Sequence, residues 1–511
     1  MMHQKAGIEA QGVKPAFYVC HALGAGKTVT ALKNLEELVK KGFVVRTLYI
    51  APLSTLENVR REALRWTQGL RPQVVNGDRK KRTNMLKNPG DRNLDIINFE
   101  AVRVVAPELL GARYDMVIVD EGKRIAHFDA QQTRIIKLIG RQARYRRVMG
   151  GLPFSESIED AWSQFDFLDH TLFPGNYYAF RNRYCQLETR EVPLRGKDGR
   201  VVFVSKGWQC PGCGERHETQ SFICKFCGMK SVPGKAPKTR KFSVIKGVKN
   251  LDEFEARIAP YIHIVLKKEA LPDLPDITPV VHEVDLLEEQ RRIYDSVEMD
   301  AATHLDEIEI DHKSAMSHMQ KCRQVAAGFI YDNERLAHYV PTAKYEVLKE
   351  VLEESLYGQE KAVIFTSFRA EPEMVAKKVS EIDGVKVFTV PDEAKERQPT
   401  IDEWTKHPGK AVLIANVQSG GVGLNLQAAY LAVFMSNDWR FHDRDQAKGR
   451  IHRKGSEIHK KIVVADIVTR NTIEEDILKV VNDKEEIVKL FIERLRRRQE
   501  AMGIRKTEKV S

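Results

Sequence analysis

At 511 residues, 42% hydrophobic and 30% charged, the chain exceeds what one hydrophobic core holds, so two or three domains are expected. No apolar run reaches the roughly 18 to 20 residues of a bilayer-spanning helix, and the opening MMHQKAGIEAQG lacks the apolar stretch of a secretory signal, so no membrane role and a cytoplasmic location are expected. A formal net charge of +11 suits a polyanionic partner, because phosphate contacts release counterions, although a basic soluble protein has the same balance.

Over residues 1–172 short apolar strands alternate with charged helical stretches. FYVCHAL, TLYIAP, DIINFE, YDMVIVDE and RYRRVMGG are separated by segments such as NLEELVKKG and NVRREALRW, which predicts a parallel sheet with helices on both faces. The first strand runs into Gly24-Ala25-Gly26-Lys27-Thr28 and then into a helix, the order a phosphate cradle requires. Its glycines let backbone N–H groups turn inward, the helix N-terminus adds positive potential, Lys27 reaches the terminal phosphates and Thr28 holds magnesium. His21 stands where the eight-residue phosphate-loop pattern has its first glycine; the remaining GxGKT string also fits an ordinary glycine turn. MVIVDE sets Asp120 and Glu121 at the end of another strand, Asp120 for the magnesium shell and Glu121 to polarise the attacking water. The alternative makes them a helix N-cap and a first-turn acid.

Residues 173–335 have a different texture. The aromatic FPGNYYAFRNRYC is followed by VPLRGKDGRVVFV, where Asp198-Gly199 reads as a hairpin turn. Cys210-Cys213 and Cys224-Cys227 are two CxxC pairs with ten residues between them, spacing that brings four thiolates to one structural zinc in a ribbon at about 205–232. Lys206, Arg216, Lys225 and Lys230 surround it and Trp208 and Phe226 offer stacking surfaces, so a contact with nucleic acid or a partner stands beside the plain role of stapling a small insertion. The isolated Cys20, Cys185 and Cys322 read as core. The prolines of LKKEALPDLPDITP predict an extended connector, and residues 286–335 look helical.

A second α/β run spans 336–478, with KAVIFTSF, KVFTV, AVLIANV, YLAVFMS and KIVVADIV as strands. Beyond the glycine-rich SGGVGLNLQAA, Arg450 and Arg453 lie three residues apart, which sets them on one helix face and aims them at one target. Arginines brought to a phosphate from a second lobe stabilise the charge of phosphoryl transfer. Thr472 with Glu475 fits a capping box opening a last helix towards RLRRRQE. Residues 479–511 form a basic helix and tail. Its apolar stripe predicts packing on the second lobe, with Arg494, Arg496, Arg497 and Arg498 solvated, or in the minority reading touching a duplex.

In order along the chain, HQKAG, LGAGKT, IAPLSTLENVRREALRW, IINFE, DEGKRIAH, MGGLPFSESIEDAWSQFDFL, PYIHIVLKKEALPDLP, VIFTSF, GGVGLNLQAA, QAKGRIHRKG and NTIEEDIL resemble the Swi/Snf branch of the superfamily-two helicases. The resemblance implies an α/β fold of two RecA-like lobes with helical protrusions and the inserted zinc ribbon. It implies ATP with magnesium between the lobes, with Gln4 reading adenine and Gly423 beside the nucleotide. Gln446 lies near the phosphate, and Arg450 and Arg453 cross the cleft. The implied activity is a nucleic-acid-stimulated ATPase moving along double-stranded DNA, in remodelling, repair, recombination or replication. An RNA-directed motor and an ATP-sensing clamp or scaffold with uncoupled hydrolysis are the rival readings. The sequence departs from the branch in DEGKR, with Lys123 where a histidine is usual, in GGLP at Gly150 to Pro153, and in Gly455-Ser456. These changes bear on the coupling of hydrolysis to movement.

Overall fold

The computed structural model describes residues 2–151, 153–154, 157–173, 175–193, 203–209, 216–217, 232–237, 239–307, 312–332, 334–357, 360–417 and 424–502. Six strands alternate with helices in the first lobe: β1 (Ala16–His21), β2 (Thr47–Ala51), β3 (Pro72–Val74), β4 (Leu94–Asn98), β5 (Met116–Val119) and β6 (Tyr145–Gly150). An intervening segment follows, in which β7 (Cys185–Pro193) pairs with β11 (Thr239–Val248), and β8 (Phe203–Gln209) pairs with β9 (Arg216–His217) and β10 (Val232–Pro237). The chain then returns as β12 (Ile262–Val265) alongside β1, completing a sheet of order β12-β1-β6-β5-β2-β4-β3 with every pairing parallel.

These strands read as continuous apolar runs because both faces are covered. Alternate residues serve opposite cores: Tyr18, Cys20, Leu48, Ile50, Val117 and Val119 face one, and Phe17, Val19, Tyr49, Ile96, Met116 and Ile118 the other. β3 and β12 were not anticipated. One opens with a proline at the sheet edge and the other, IHIV, is a four-residue apolar run that periodicity cannot assign. The Asp198-Gly199 turn lies outside the described residues, and among the described residues the strands flanking it pair with β11 and β10. Cys210, Cys213, Cys224 and Cys227, expected to hold zinc, also lie outside the described residues, whereas Cys20, Cys185 and Cys322 are buried.

The second lobe repeats the architecture. It comprises β13 (Asp276–Val284), a small hairpin of β14 (Phe329–Tyr331) and β15 (Ala337–Tyr339), then β16 (Lys361–Thr366), β17 (Lys386–Thr389), β18 (Ala411–Asn416), β19 (Ala429–Phe434) and β20 (Lys461–Thr469). The main sheet runs β13-β20-β19-β16-β18-β17, all parallel. The extended connector is thus partly strand: β13 starts at Asp276 and carries Pro279, which is tolerated because β13 is an edge strand.

The last helix, Ile473–Ala501, opens at Thr472, whose hydroxyl accepts from the Glu474 N–H. Its first half is rooted in the second lobe, where Ile477 and Val481 pack on Phe441, and Glu485 pairs with Lys448 at 2.6 Å. Its second half leaves that lobe. Phe491, Ile492 and Leu495 enter the core of the first lobe, with Phe491 edge-on to Phe154 at 4.5 Å between ring centroids. The solvated basic face expected for this helix is corrected in three arginines: Arg494 and Arg498 pair with Asp252 at 2.9 and 3.0 Å, Arg496 pairs with Glu269 at 2.5 Å, and Arg497 remains exposed. Gln499 donates to the Ala259 and Ile262 carbonyls. The apolar stripe fits better against this aromatic wall, and the acids of helix Leu251–Ile258 match its charge, so the helix straps one lobe to the other.

At the root of the strap Lys344, fully buried, sits between both oxygens of Glu474 at 2.8 Å and also donates to the Met435 carbonyl. Removing one partner leaves a buried charge uncompensated, so Glu474→Ala is expected to lower stability by about 3–5 kcal/mol. Urea unfolding checks this, and a loss below about 1 kcal/mol would show that the ammonium finds other partners.

Candidate functional site

The C-terminal ends of β1, β6 and β5 lie side by side in the first sheet, so the loop from Gly24 to Thr28, the GGLP segment and the Asp120-Glu121 pair share one edge. Ligands of open parallel sheets bind at such an edge. Gly24 and Gly26 take positive φ of 84° and 78°, which bends the loop over the strand end. Gly26 is the N-cap of helix Lys27–Lys40 and supplies no side-chain cap. Lys27 Nζ folds back to the His21 carbonyl at 3.2 Å.

His21 does not enter the cradle. Its ring turns away to His263 at 3.0 Å, and burial, His263 and Lys27 hold its pKa down at about 2. The N-terminal helix Met2–Gln11 crosses it at Gly7, where a methyl group would stand 3.1 Å from the His21 ring. The same helix lays Gln4 on the loop: a methyl on Gly26 would meet the Gln4 amide nitrogen at 2.1 Å. His3 lies within hydrogen-bonding distance of the Ala25 carbonyl, at 3.0 Å. Beside it a cavity of about 790 Å³ opens between His3 and Ala6, His263, Leu271 and Asp273 of the connector, and Lys454 of the second lobe.

Asp120 is buried, and its Oδ2 accepts from the Tyr49 hydroxyl at 3.3 Å, which in turn accepts from Thr28. Burial and then the charge of Glu121 push the Asp120 pKa up to about 7, against the pull of Lys27. A buried carboxylate linked through a phenol to a threonine hydroxyl, beside a lysine, is a hard-oxygen donor set that fits magnesium. Glu121 adopts the left-handed conformation at φ 55°, ψ 67°, strain typical of functional positions. Gly122 follows in a space with no room for a side chain, since a Cβ would lie 2.5 Å from both Gln164 Oε1 and Val148 Cγ1. Gln164 also accepts from Tyr18 at 2.9 Å and donates to the Pro153 carbonyl, tying GGLP to the acid motif.

The second lobe closes on this edge. Helix Phe441–Ile451 seats Gly449 against the loop, where a methyl would stand 2.5 Å from Leu23 Cδ2. The shared helix face expected for Arg450 and Arg453 is corrected: the helix ends at Ile451, and Arg453 lies beyond the cap residue His452, where the chain has left helical geometry. Both still reach the cleft. A methyl on Gly24 would lie 3.6 Å from Arg453 Cβ, and Arg453 Nη1 donates to Asn425 Oδ1 at 2.6 Å. Burial first, then the neighbouring Arg453, draws the Arg450 pKa down to about 10, while Glu121 across the cleft opposes the shift. Gln446 lies on the same helix, 2.8 Å from the His442 ring. Gly423 lies outside the described residues.

Sequence reasoning passed over three titratable groups of the cleft. Glu62, on helix Leu56–Trp66, acts electrostatically on Arg453 and has a buried oxygen with no hydrogen-bond partner. Lys267, in the connector, is lowered to about 8 by burial and by its cationic neighbours, which include Arg453 and Lys27. His442 faces Lys123 and Glu121 of the first lobe. None sits in a glycine-rich or strand-end string; a cation directly after the β12 strand was the one signal available.

Residues 13–328 match the family described as SNF2-related domain, and residues 343–455 the one described as helicase conserved C-terminal domain. An uncharacterized ATP-dependent helicase of Mycoplasma genitalium is 23% identical over 475 residues, covering 91% of this chain and 39% of that protein. The lymphoid-specific helicase of Homo sapiens is 21% identical over 512 residues, covering 92% and 59% respectively. Among solved structures, the Sulfolobus solfataricus SWI2/SNF2 ATPase core in complex with dsDNA is similar at a TM-score of 0.40 and 19% identity, covering 97% of this chain and 94% of that one. This chain therefore spans well under half the length of the mycoplasma protein. With a family match that takes in more than half of its residues, the chain belongs to the SNF2-related domain family.

Proposed function

We propose that the protein is an ATP-hydrolysing motor that is stimulated by nucleic acid and moves along double-stranded DNA inside the cell. The observation that carries this reading is the convergence at one seam of a phosphate loop, a strand-end Asp120-Glu121 pair and two arginines from the opposite lobe. Loop N–H groups and Lys27 hold the phosphates, Gln4 reads the base, and Glu121 takes the proton of the attacking water. Thr28 and Asp120 would hold magnesium, which would supply positive charge to the phosphates. Arg450 and Arg453 stabilise the charge that develops on the transferred phosphoryl group, so hydrolysis depends on lobe closure. Duplex DNA as the track rests on the net charge of +11 and the family. Among the described residues no helix is long and apolar enough to cross a membrane.

In this reading residues 1–172 and 336–478 are the two ATPase lobes, 173–335 the protrusions and connector, which lend β12 and β13 to the sheets, and 479–511 the strap and tail. Cys210, Cys213, Cys224 and Cys227 hold one structural zinc, a reading supported by their spacing. Among the described residues no group of three or more His, Cys, Asp or Glu side chains is placed to hold a metal ion. Metal analysis of the purified protein is expected to find one zinc per chain, lost on Cys224→Ser.

The test is ATP turnover by the zinc-loaded protein with no polymer, single-stranded DNA, duplex DNA or RNA. Duplex DNA is expected to stimulate most, with no turnover in Lys27→Ala. Negligible turnover with every polymer despite tight ATP and DNA binding would overturn the motor in favour of a clamp, and preferential stimulation by RNA would reassign the track.

A further inference from the structure

Helix Phe441–Ile451 carries, besides Gln446 and Arg450, a histidine one turn before the glutamine. His442 and Gln446 are four residues apart and therefore stacked on one face, with Gln446 Nε2 at 2.8 Å from His442 Nε2. A carboxamide nitrogen has only N–H bonds to offer, so in this pair the ring nitrogen must accept. The imidazole is then neutral and carries its proton on Nδ1.

The direction of that hydrogen bond has a chemical result. Gln446 is a two-ended group, donor at Nε2 and acceptor at Oε1, and nothing within the residue decides which end serves the cleft. With Nε2 given to His442, Oε1 is the end left to accept a proton from a group in the cleft. An imidazolium has no lone pair, so a charged His442 would instead take Oε1 and turn the amide round.

The surroundings favour the neutral ring. Partial burial and the positive charge of Lys123 disfavour the imidazolium, against Glu121 on the first lobe and Asp443 and Asp445 on its own helix. The charge of Lys123 acts on His442 across the seam between the lobes.

We propose that His442 is a positioning residue for Gln446: its neutral imidazole accepts from the Gln446 amide and thereby commits Gln446 Oε1 to the attacking water in the closed cleft. The inference rests on the ATPase reading above and adds to it a residue and a direction of hydrogen bonding.

Two readouts on the full chain test it. In duplex-stimulated ATP turnover, His442→Ala is expected to lower kcat by about tenfold with KM for ATP held within about threefold, the loss of one orienting hydrogen bond rather than of binding. His442→Gln, which sets an amide oxygen where the ring nitrogen was, is expected to restore kcat to within about threefold of the parent. Nitrogen resonances of histidine-labelled protein, assigned to His442 by their loss in His442→Gln, are expected to report the neutral ring protonated on Nδ1, and to shift in Gln446→Leu. A kcat unchanged in His442→Ala, a His442→Gln variant as impaired as His442→Ala, or a ring protonated on Nε2 at neutral pH would each overturn the proposal. In a protein that hydrolyses no ATP with any polymer the proposed function falls, and the ring resonances alone decide whether the pair exists.

Discussion

Arg450→Ala is expected to reduce duplex-stimulated kcat by about 10³-fold or more, the range by which an arginine delivered to a transferring phosphoryl group accelerates its loss. Arg450 and Arg453 are partly buried neighbours: burial and then Arg453 draw the Arg450 pKa down to about 10. Two like charges held together in a poorly solvated cleft are unfavourable until an anion joins them. Glu121 and Glu62, the acids of the first lobe that act on the pair, lie on the opposite wall, and a triphosphate brings more negative charge than either. In the proposed motor the arginines therefore interact more strongly with the transition state than with the ground state, the differential that accelerates chemistry. A corollary separates this from a structural role. Removing Arg450 relieves repulsion in the free protein, so its melting temperature is expected to hold or rise while turnover collapses. Arg450→Lys keeps the charge but not the planar fork, and recovers only part of the rate. Steady-state turnover and thermal melting on the same preparations measure both. A kcat within about threefold of the parent would remove Arg450 from the catalytic cleft.

The two sheets were legible because buried parallel strands carry continuous apolar runs, and ten of them stand out as such in FYVCH, TLYIA, LDIIN, MVIV, YRRVMG and their second-lobe counterparts. The strands that escaped notice have no run long enough to assign. PQV is three residues long, IHIV is cut short by LKK, and DITPVVHEV alternates charge with apolar residues and contains a proline. The last helix shows a different limit. Its capping threonine and apolar stripe were visible, but its destination was not, because an amphipathic stripe states that something is covered and not which lobe does the covering. Asp252, Glu255 and Glu269, spread over two elements, choose the first lobe, and that pairing exists only in three dimensions.

At the cleft, the motifs whose chemistry is local in sequence were legible: Gly24 to Thr28 as strand, loop and helix, and Asp120-Glu121 as the acid at a strand end. The arginine pair was found for an incomplete reason. Spacing set both on one helix, whereas the helix stops at Ile451 and the loop through His452, whose ring donates to the Pro275 carbonyl at 2.9 Å, carries Arg453 to the phosphate loop. Glu62, Lys267 and His442 were illegible because each owes its place to the approach of the two lobes.

Glu121→Gln is expected to lower kcat by about 10²–10⁴-fold, the usual worth of a positioned general base, while ATP binding persists. Glutamine matches the carboxylate in size and keeps a polar group at the same atoms, but it has no negative charge and cannot take up a proton at neutral pH. The backbone argues that little else changes. Glu121 is held at φ 55° with no capping hydrogen bond from its side chain, so the substitution is expected to leave the turn in place. It also removes one negative neighbour from Asp120, whose pKa Glu121 helps to raise. Asp120 then ionises more readily and the magnesium-holding set is strengthened, so affinity for ATP with magnesium is expected to hold or improve. The pattern is opposite to that of Lys27→Ala, which removes the proposed phosphate ligand and is expected to weaken binding and turnover together. Fluorescent-nucleotide titration beside single-turnover hydrolysis separates the two. Loss of nucleotide binding in Glu121→Gln would assign the residue to the metal shell, and a rate within about threefold of the parent would move the base elsewhere in the cleft.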